Sequence, residues 1–141
     1  MPGVRKAFTI FANLTADERF NTSIVLLETY GIQAVRSVPV DSTALPREER
    51  EHPVLATPVL FWEGSEAQTV KDAYAYAGAI RDALFAGVDG RREKRHCYVN
   101  YANGEEGRRE MYGYDGRVER LGALKEVWDP KNRFGWYNPV V

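Results

Sequence analysis

A single α+β domain, with a four-stranded antiparallel sheet carrying helices on one face, is the fold class that this sequence predicts. Three observations predict it. Short β-branched and aromatic runs alternate with longer stretches of helical periodicity, in the order strand, helix, strand, strand, helix, strand. Glycine and proline punctuate the boundaries between them. The 141 residues are enough for one core that buries roughly two-thirds of the surface exposed by the unfolded chain.

Residues 6–14 mix β-branched and aromatic side chains in rough alternation and read as the first strand. Thr15 is placed to cap a helix, and Glu18 would complete a capping box. That helix, over 16–30, would gather Phe20, Ile24, Leu26 and Leu27 on one face, with Gly31 ending it. Residues 33–40 predict a second strand, at an edge or running out at Pro39. Residues 41–57 hold proline-flanked turns and the charge cluster Arg47, Glu48, Glu49, Arg50 and Glu51, and read as an exposed loop or short helical lid. A third strand is expected over 58–62. Ser65 can cap a long helix over 66–86, where Val70, Ala73, Tyr74, Ala77, Ile80 and Leu84 recur at spacings of three and four. Gly87, Asp89 and Gly90 would close it. Residues 95–102 supply the fourth strand, and 117–128 a final helix stopped by Pro130. This order is the split β-α-β arrangement of ferredoxin-like folds, here with a C-terminal helix and tail, as one domain over 1–141.

Nineteen basic against twenty acidic residues leave a net charge of -1, so no long-range field draws the chain to nucleic acid or to an anionic membrane. Cys97 is the only cysteine, which excludes an internal disulfide and a multi-cysteine zinc site; a small buried apolar role is expected for it. His52 and His96 have no metal-ligand companion at helical or hairpin spacing, so no metal is expected. No glycine-x-serine-x-glycine elbow supports a serine hydrolase. The N-terminus lacks the roughly 7–15-residue apolar core of a signal peptide, and no stretch approaches the roughly 20 apolar residues of a membrane span. A cytoplasmic location is the expectation.

The most specific strings lie toward the C-terminus. Tyr98, Asn100 and Tyr101 form a tyrosine-x-asparagine-tyrosine string, Tyr112 and Gly113 come next, and a short amphipathic run closes on Asp129, Pro130, Asn132 and Phe134. In that order they resemble the berberine-bridge-enzyme-like C-terminal segment of FAD-linked oxidases, loosely over the whole chain and specifically over residues 97–134. The resemblance implies an antiparallel sheet flanked by helices, in agreement with the pattern of strands and helices. It also implies that Tyr101 sits at the substrate and can act as a base. By turn chemistry, the aspartate-to-phenylalanine string reads as a helix-terminating turn with Phe134 anchoring the tail. Such oxidases hold flavin in a large upstream domain. This chain has no glycine-rich dinucleotide loop, so the expectation is a substrate half standing without its flavin half and using no cofactor.

Alternation places Phe8, Ile10, Val59, Phe61, Cys97 and Val99 on one face of the predicted sheet. Thr9, Phe11, Asn13, Leu60, Trp62, Tyr98 and Asn100 fall on the other. Whichever face meets the helices, aromatic surface remains, which marks a ligand groove or an interface. A homodimer packed sheet to sheet, or a C-terminal segment folded across the face, would cover it. The candidate catalytic set is Tyr98, Tyr101, Asn100 and His96. A phenol, with an ordinary pKa near 10, donates a proton or hydrogen bond more readily than it accepts one. Candidate substrate contacts are Phe11, Asn13, Trp62 and Trp136, with Asp41, Glu63, Glu28 and Arg36 as further polar members of a pocket. The functional expectation is a cofactor-independent cyclase or isomerase, a pericyclase among the possibilities, acting on an apolar polyketide- or terpenoid-like intermediate. The alternative is a non-catalytic module that pairs with a separately encoded flavin domain or carries a ligand. A fragment of a longer protein is the third reading.

Overall fold

The computed structural model describes residues 2–86 and 94–140. Six helices and a two-stranded antiparallel sheet are present among them: α1 (Pro2–Ala16), β1 (Ile24–Thr29), α2 (Gln33–Ser37), α3 (Arg47–Glu51), β2 (Val54–Val59), α4 (Ala67–Ala86), α5 (Arg108–Tyr112) and α6 (Arg117–Trp128). The class is therefore α+β, but the expected four-stranded ferredoxin-like sheet is replaced by a β1-β2 pair. The chain divides into two compact units, Met1–Glu28 with Leu55–Glu93, and Thr29–Val54 with Lys94–Val141. The closing residues Gly87, Asp89 and Gly90 lie outside the described residues.

The first unit is built on α1 and α4, which pack through small side chains. Ala7 on α1 and Ala73 and Ala83 on α4 are buried together with Leu14, Phe20 and Ile80. Alanine at these positions lets the two helices approach closely. The run over 6–14 is helical because its apolar members Ala7, Ile10, Phe11 and Leu14 fall at i, i+3, i+4 and i+7, one helical face. The same residues give a partial match to period two, and Phe8, counted as a strand residue, is 70% exposed. Thr15 lies in the last turn of α1, where its hydroxyl donates back to the Phe11 carbonyl at 3.1 Å. Asp17 is the residue that caps, accepting from the Arg19 N–H at 3.0 Å and opening a 3-10 turn over Glu18–Phe20.

That turn delivers Phe20 to the core, edge-on to Tyr76 with centroids 6.1 Å apart. The expected helix over 16–30 is thus a 3-10 turn followed by β1, since the β-branched and leucine-rich run from Ile24 pairs with β2. Buried Ser23 ties the start of β1 to the end of β2 by accepting from the Phe61 N–H at 3.1 Å. The expected third strand over 58–62 starts four residues earlier and ends at Val59, and Leu60 and Trp62 continue past it to pack on the core.

The second unit holds little regular structure, and among its described residues few apolar side chains are buried, Pro46, Ala102 and Met111 being so. Its expected strands are not formed. Residues 33–40 become α2 and the start of a 3-10 turn over Val40–Ser42, and 95–102 is an irregular stretch ending in a 3-10 turn, Val99–Tyr101. Guanidinium groups organise what the missing strands do not. Arg50, only 3% exposed, donates to the carbonyls of Val38 at 2.7 Å, Val35 at 3.2 Å and Leu45 at 3.3 Å, and to the Thr43 hydroxyl. Arg117, at the start of α6, donates to the carbonyls of Thr43 at 2.7 Å, Val40 at 3.0 Å and Leu45 at 3.2 Å. Arg36 does the same for Glu51 at 2.7 Å and Arg50 at 3.1 Å. The segment read as an exposed charge cluster therefore contains a buried cation. Burial, with Arg120 and Arg50 nearby, pulls the Arg117 guanidinium below its ordinary value, and Glu48 and Asp41 oppose that shift.

Gly113 is where this unit demands glycine. Its φ is +92°, and a Cβ there would meet the Pro46 ring at 2.8 Å and the Arg117 side chain at 2.9 Å. Phe20→Ala should destabilise the first unit by about 3–5 kcal/mol, the range for truncating a fully buried aromatic. Arg50→Leu should cost about 1–3 kcal/mol, because buried carbonyls are left without donors. Denaturant unfolding with hydrogen exchange, resolved by unit, checks both, and the exchange changes should fall in different units.

Candidate functional site

The tyrosine-asparagine-tyrosine string lies on the 3-10 turn Val99–Tyr101 and its N-cap, Tyr98. The Asn100 amide donates to the Tyr98 hydroxyl at 2.9 Å, and the Tyr98 and Tyr101 rings meet edge to face with centroids 5.6 Å apart. Three of the four catalytic candidates thus form one local group. Tyr101 is 40% exposed and Tyr98 half-buried.

This turn is fastened from behind by the tail. Asn138 is 6% exposed and sits at φ +43°, a left-handed conformation that asparagine tolerates. Its amide donates to the carbonyls of Val99 at 3.1 Å and Ala102 at 3.3 Å. The Tyr137 hydroxyl donates to the Ala102 carbonyl as well, and the Tyr112 hydroxyl donates to the Asn138 carbonyl. Burial pushes the Tyr112 phenol above its ordinary pKa and keeps it a donor. Sequence reasoning did not single out Asn138, Tyr137 or Tyr112 as fasteners. A signal was there in the density of tyrosine and asparagine with few apolar partners nearby.

The fourth candidate is His96, which meets Glu49 and His52. Its Nδ1 is 3.0 Å from a Glu49 carboxylate oxygen, and its ring stacks on His52, centroids 5.0 Å apart and planes 11° from parallel. Two histidines far apart in sequence are thereby brought together. No group of three or more histidine, cysteine, aspartate or glutamate side chains that could hold a metal ion occurs among the described residues. Cys97, expected to be buried, is half-buried, with its thiol donating to the Tyr98 carbonyl.

The remaining candidates are divided between the units. Phe11 and Trp62 pack against the core of the first unit. Asn13 lines an open groove of about 460 Å³ on α1 and α4, with Ile10, Arg19, Asp72 and Tyr76. Arg19 is held there by Asp17 at 2.7 Å and Asp72 at 3.0 Å. In the second unit Trp136, 95% exposed, borders a groove of about 410 Å³ with Met111, Tyr137 and Asn138.

The aspartate-to-phenylalanine string is architectural, as expected, although by a different contact. The Asp129 carboxylate accepts from the N–H groups of Arg133 at 2.8 Å and Phe134 at 3.0 Å and pairs with Lys125. Asn132 turns the chain at φ +47°, and a Cβ on Gly135 would strike the Asn132 side chain. Phe134 does not anchor the tail: its ring is 84% exposed, and its backbone is what is held, the carbonyl by Lys125 at 2.9 Å.

With the geometry in place, comparison with known proteins bears out the resemblance. The family described as "Berberine and berberine like" matches residues 97–140, the segment containing the tyrosine group, its fasteners and the aspartate turn. The chain is 36% identical over 139 residues to the FAD-linked oxidoreductase chry5 of Gibberella zeae, covering 97% of this chain and 27% of that protein. It is 34% identical to the FAD-linked oxidoreductase anuG of Penicillium roqueforti, covering 97% and 26%. Over 49 residues, 34% of this chain and 9% of the relative, it is 52% identical to the FAD-linked oxidoreductase OXR2 of Pyricularia oryzae. The chain spans about a quarter of the length of the first two of these relatives. No solved structure matches it.

The glycine-bearing turn of the second unit does not fit a flavin pyrophosphate. That turn, from Gly104 to Gly107, opens a helix of five residues, and the N–H groups of Glu105 and Gly107 within it are already taken. Glu106 accepts from Asn103, the Asn103 side chain from Glu105, and Glu110 from Gly107, which sets carboxylates where a phosphate would have to sit. Arg50 and Arg117 are committed to backbone carbonyls, and Arg19 to Asp17 and Asp72.

Lys125 and the Phe134 and Arg133 amides hold the Asp129 carboxyl down at about 2, below its ordinary 3.8. A depressed carboxyl pKa contributes stability that is present above about pH 4 and is lost as pH falls through about 2. Asp129→Asn should lower Tm at pH 7 and flatten the acid limb between those limits, as read by thermal unfolding against pH. Asn138→Ala should destabilise the second unit by about 1–3 kcal/mol through its lost carbonyl contacts, checked by denaturant unfolding.

Proposed function

We propose that this chain is the substrate-side portion of a FAD-linked oxidoreductase activity of secondary metabolism, with the flavin held by a separate portion. Its substrate would be an apolar polyketide- or terpenoid-like intermediate, handled in the cytoplasm. The observation that carries the reading is the tyrosine-amide pair within the family-matched segment. Because the Tyr98 oxygen accepts from Asn100 at 2.9 Å, its own proton is left to donate to a substrate oxygen. A donor fixed before the substrate arrives costs no reorganisation when charge develops on that oxygen. Tyr101, against the Tyr98 ring, offers an apolar edge and a second hydroxyl. The carboxylates that already occupy the Gly104 to Gly107 turn support assigning the cofactor elsewhere. So do the relatives, whose names specify FAD and whose length is nearly four times the matched part.

A second reading has one observation in its favour: the tyrosine-amide pair is complete within this chain. On this reading the chain is a cofactor-independent cyclase or isomerase in which Tyr98 and Tyr101 donate to the substrate and Asn100 orients it. His96, with Glu49 on its Nδ1, would be the acid-base group. Trp136 and the exposed aromatic surface would then form the wall of a cavity closed by a two-fold homodimer.

Both readings predict that Tyr98→Phe lowers turnover about tenfold or more, with no change in Tm. The two are separated by assaying a panel of aromatic polyketide ketones with and without a flavin-bearing portion. Oxidation only when that portion is present supports the first reading. Isomerisation or ring closure by the isolated chain supports the second and contradicts the first. Full activity of both Tyr98→Phe and Tyr101→Phe would remove the tyrosines from either mechanism.

A further inference from the structure

The C-terminal segment displays its aromatic side chains instead of burying them. Trp136 is 95% exposed, Phe134 84%, Trp128 82% and Tyr137 65%, all within ten residues. These side chains do not sit on an unanchored tail, because the backbone on each side of Trp136 is hydrogen-bonded. Upstream, Asp129 clasps the N–H groups of Arg133 and Phe134, and Lys125 holds the Phe134 carbonyl. Downstream, Asn138 is buried and bonded to Val99 and Ala102. The side chains of Trp136, Phe134 and Trp128 are left largely in water, while the Tyr137 hydroxyl is bonded to the Ala102 carbonyl.

An indole presented on a doubly anchored loop is pre-organised for burial, since little backbone entropy remains to be lost on contact. Tryptophan and tyrosine are also the side chains that most often dominate interface energetics. Each large aromatic buries about 150–250 Å², a substantial part of the roughly 800 Å² per partner of a standard interface. Lys131 and Arg133 are exposed close by in sequence, and Glu106 and Arg108 line the groove that Trp136 borders, so the surroundings of the indole carry both signs of charge.

We propose that this aromatic tail, centred on Trp136, is the docking epitope for a flavin-bearing polypeptide of the kind that makes up the other three quarters of the FAD-linked relatives. The inference rests on the substrate-side reading and adds to it the surface and the residue on which association turns. Two facts select this occupant. The tail falls inside the family-matched segment of residues 97–140, and the relatives carry about three quarters of their length outside the part matched by this chain.

The test is co-expression of the full chain with the unmatched part of the Gibberella zeae oxidoreductase, using that relative's own matched segment in parallel as the reference. The expected result is a yellow one-to-one complex. Trp136→Ser should weaken it about 30-fold or more while leaving the Tm of the isolated chain unchanged. Equal binding by the wild type and Trp136→Ser would overturn the epitope and leave the substrate-side reading standing. A comparable loss in Phe8→Ser, which is also solvent-exposed, on α1 in the first unit, would show general apolar adhesion and overturn it too. A homodimer dissolved by Trp136→Ser would assign the surface to a second copy and overturn the choice of partner. Failure of the wild-type chain to bind where the reference segment binds would overturn both the epitope and the reading beneath it.

Discussion

Backbone carbonyls that no strand or helix can satisfy are the constraint around which the second unit is arranged. An irregular segment carries the same acceptors as a sheet, and each must find a donor or remain in water. Here the donors are side chains. Arg50 and Arg117 serve the carbonyls of Val35, Val38, Val40, Thr43 and Leu45. Asn138 and Tyr137 serve Val99 and Ala102, Tyr112 serves Asn138, and Tyr114 serves Arg95 at 2.9 Å. The exposed tyrosine group and the exposed tryptophan both depend on this framework, one in front of the Asn138 anchor and the other beside it.

The framework also explains what was legible in the sequence. The helix over 117–128 and the long helix ending at residue 86 emerged nearly to the residue, because each shows sustained periodicity and ends on a glycine or proline signal. The first helix was lost to an ambiguity of period: Ala7, Ile10, Phe11 and Leu14 define a helical face, while the β-branched and aromatic residues among them imitate a strand. The run over 95–102 has strand composition and no strand partner. Its tyrosines and asparagine work as hydrogen-bonding groups of a turn, a use that period and propensity do not register. No pattern in the charge cluster at 47–51 distinguishes buried Arg50 from its solvated neighbours.

The site divides in the same way. Motif order located Tyr98, Asn100 and Tyr101 and the Asp129 turn, because their chemistry is local and their spacing short. The Glu49, His96 and His52 cluster and the Asn138 lock join distant stretches of chain, and no single-sequence pattern reports such pairings. The first unit contributes a conventional apolar core and an open groove bordered by Asn13, and the second contributes the polar turn and the displayed aromatics.

On the proposed reading, the flavin of the reaction is held by another portion and this chain retains none. Native mass spectrometry of the purified chain incubated with FAD, read together with flavin absorbance after desalting, tests that most directly. The account predicts the mass of the polypeptide without a retained dinucleotide and a colourless sample. A stoichiometric FAD adduct and a yellow protein would contradict it.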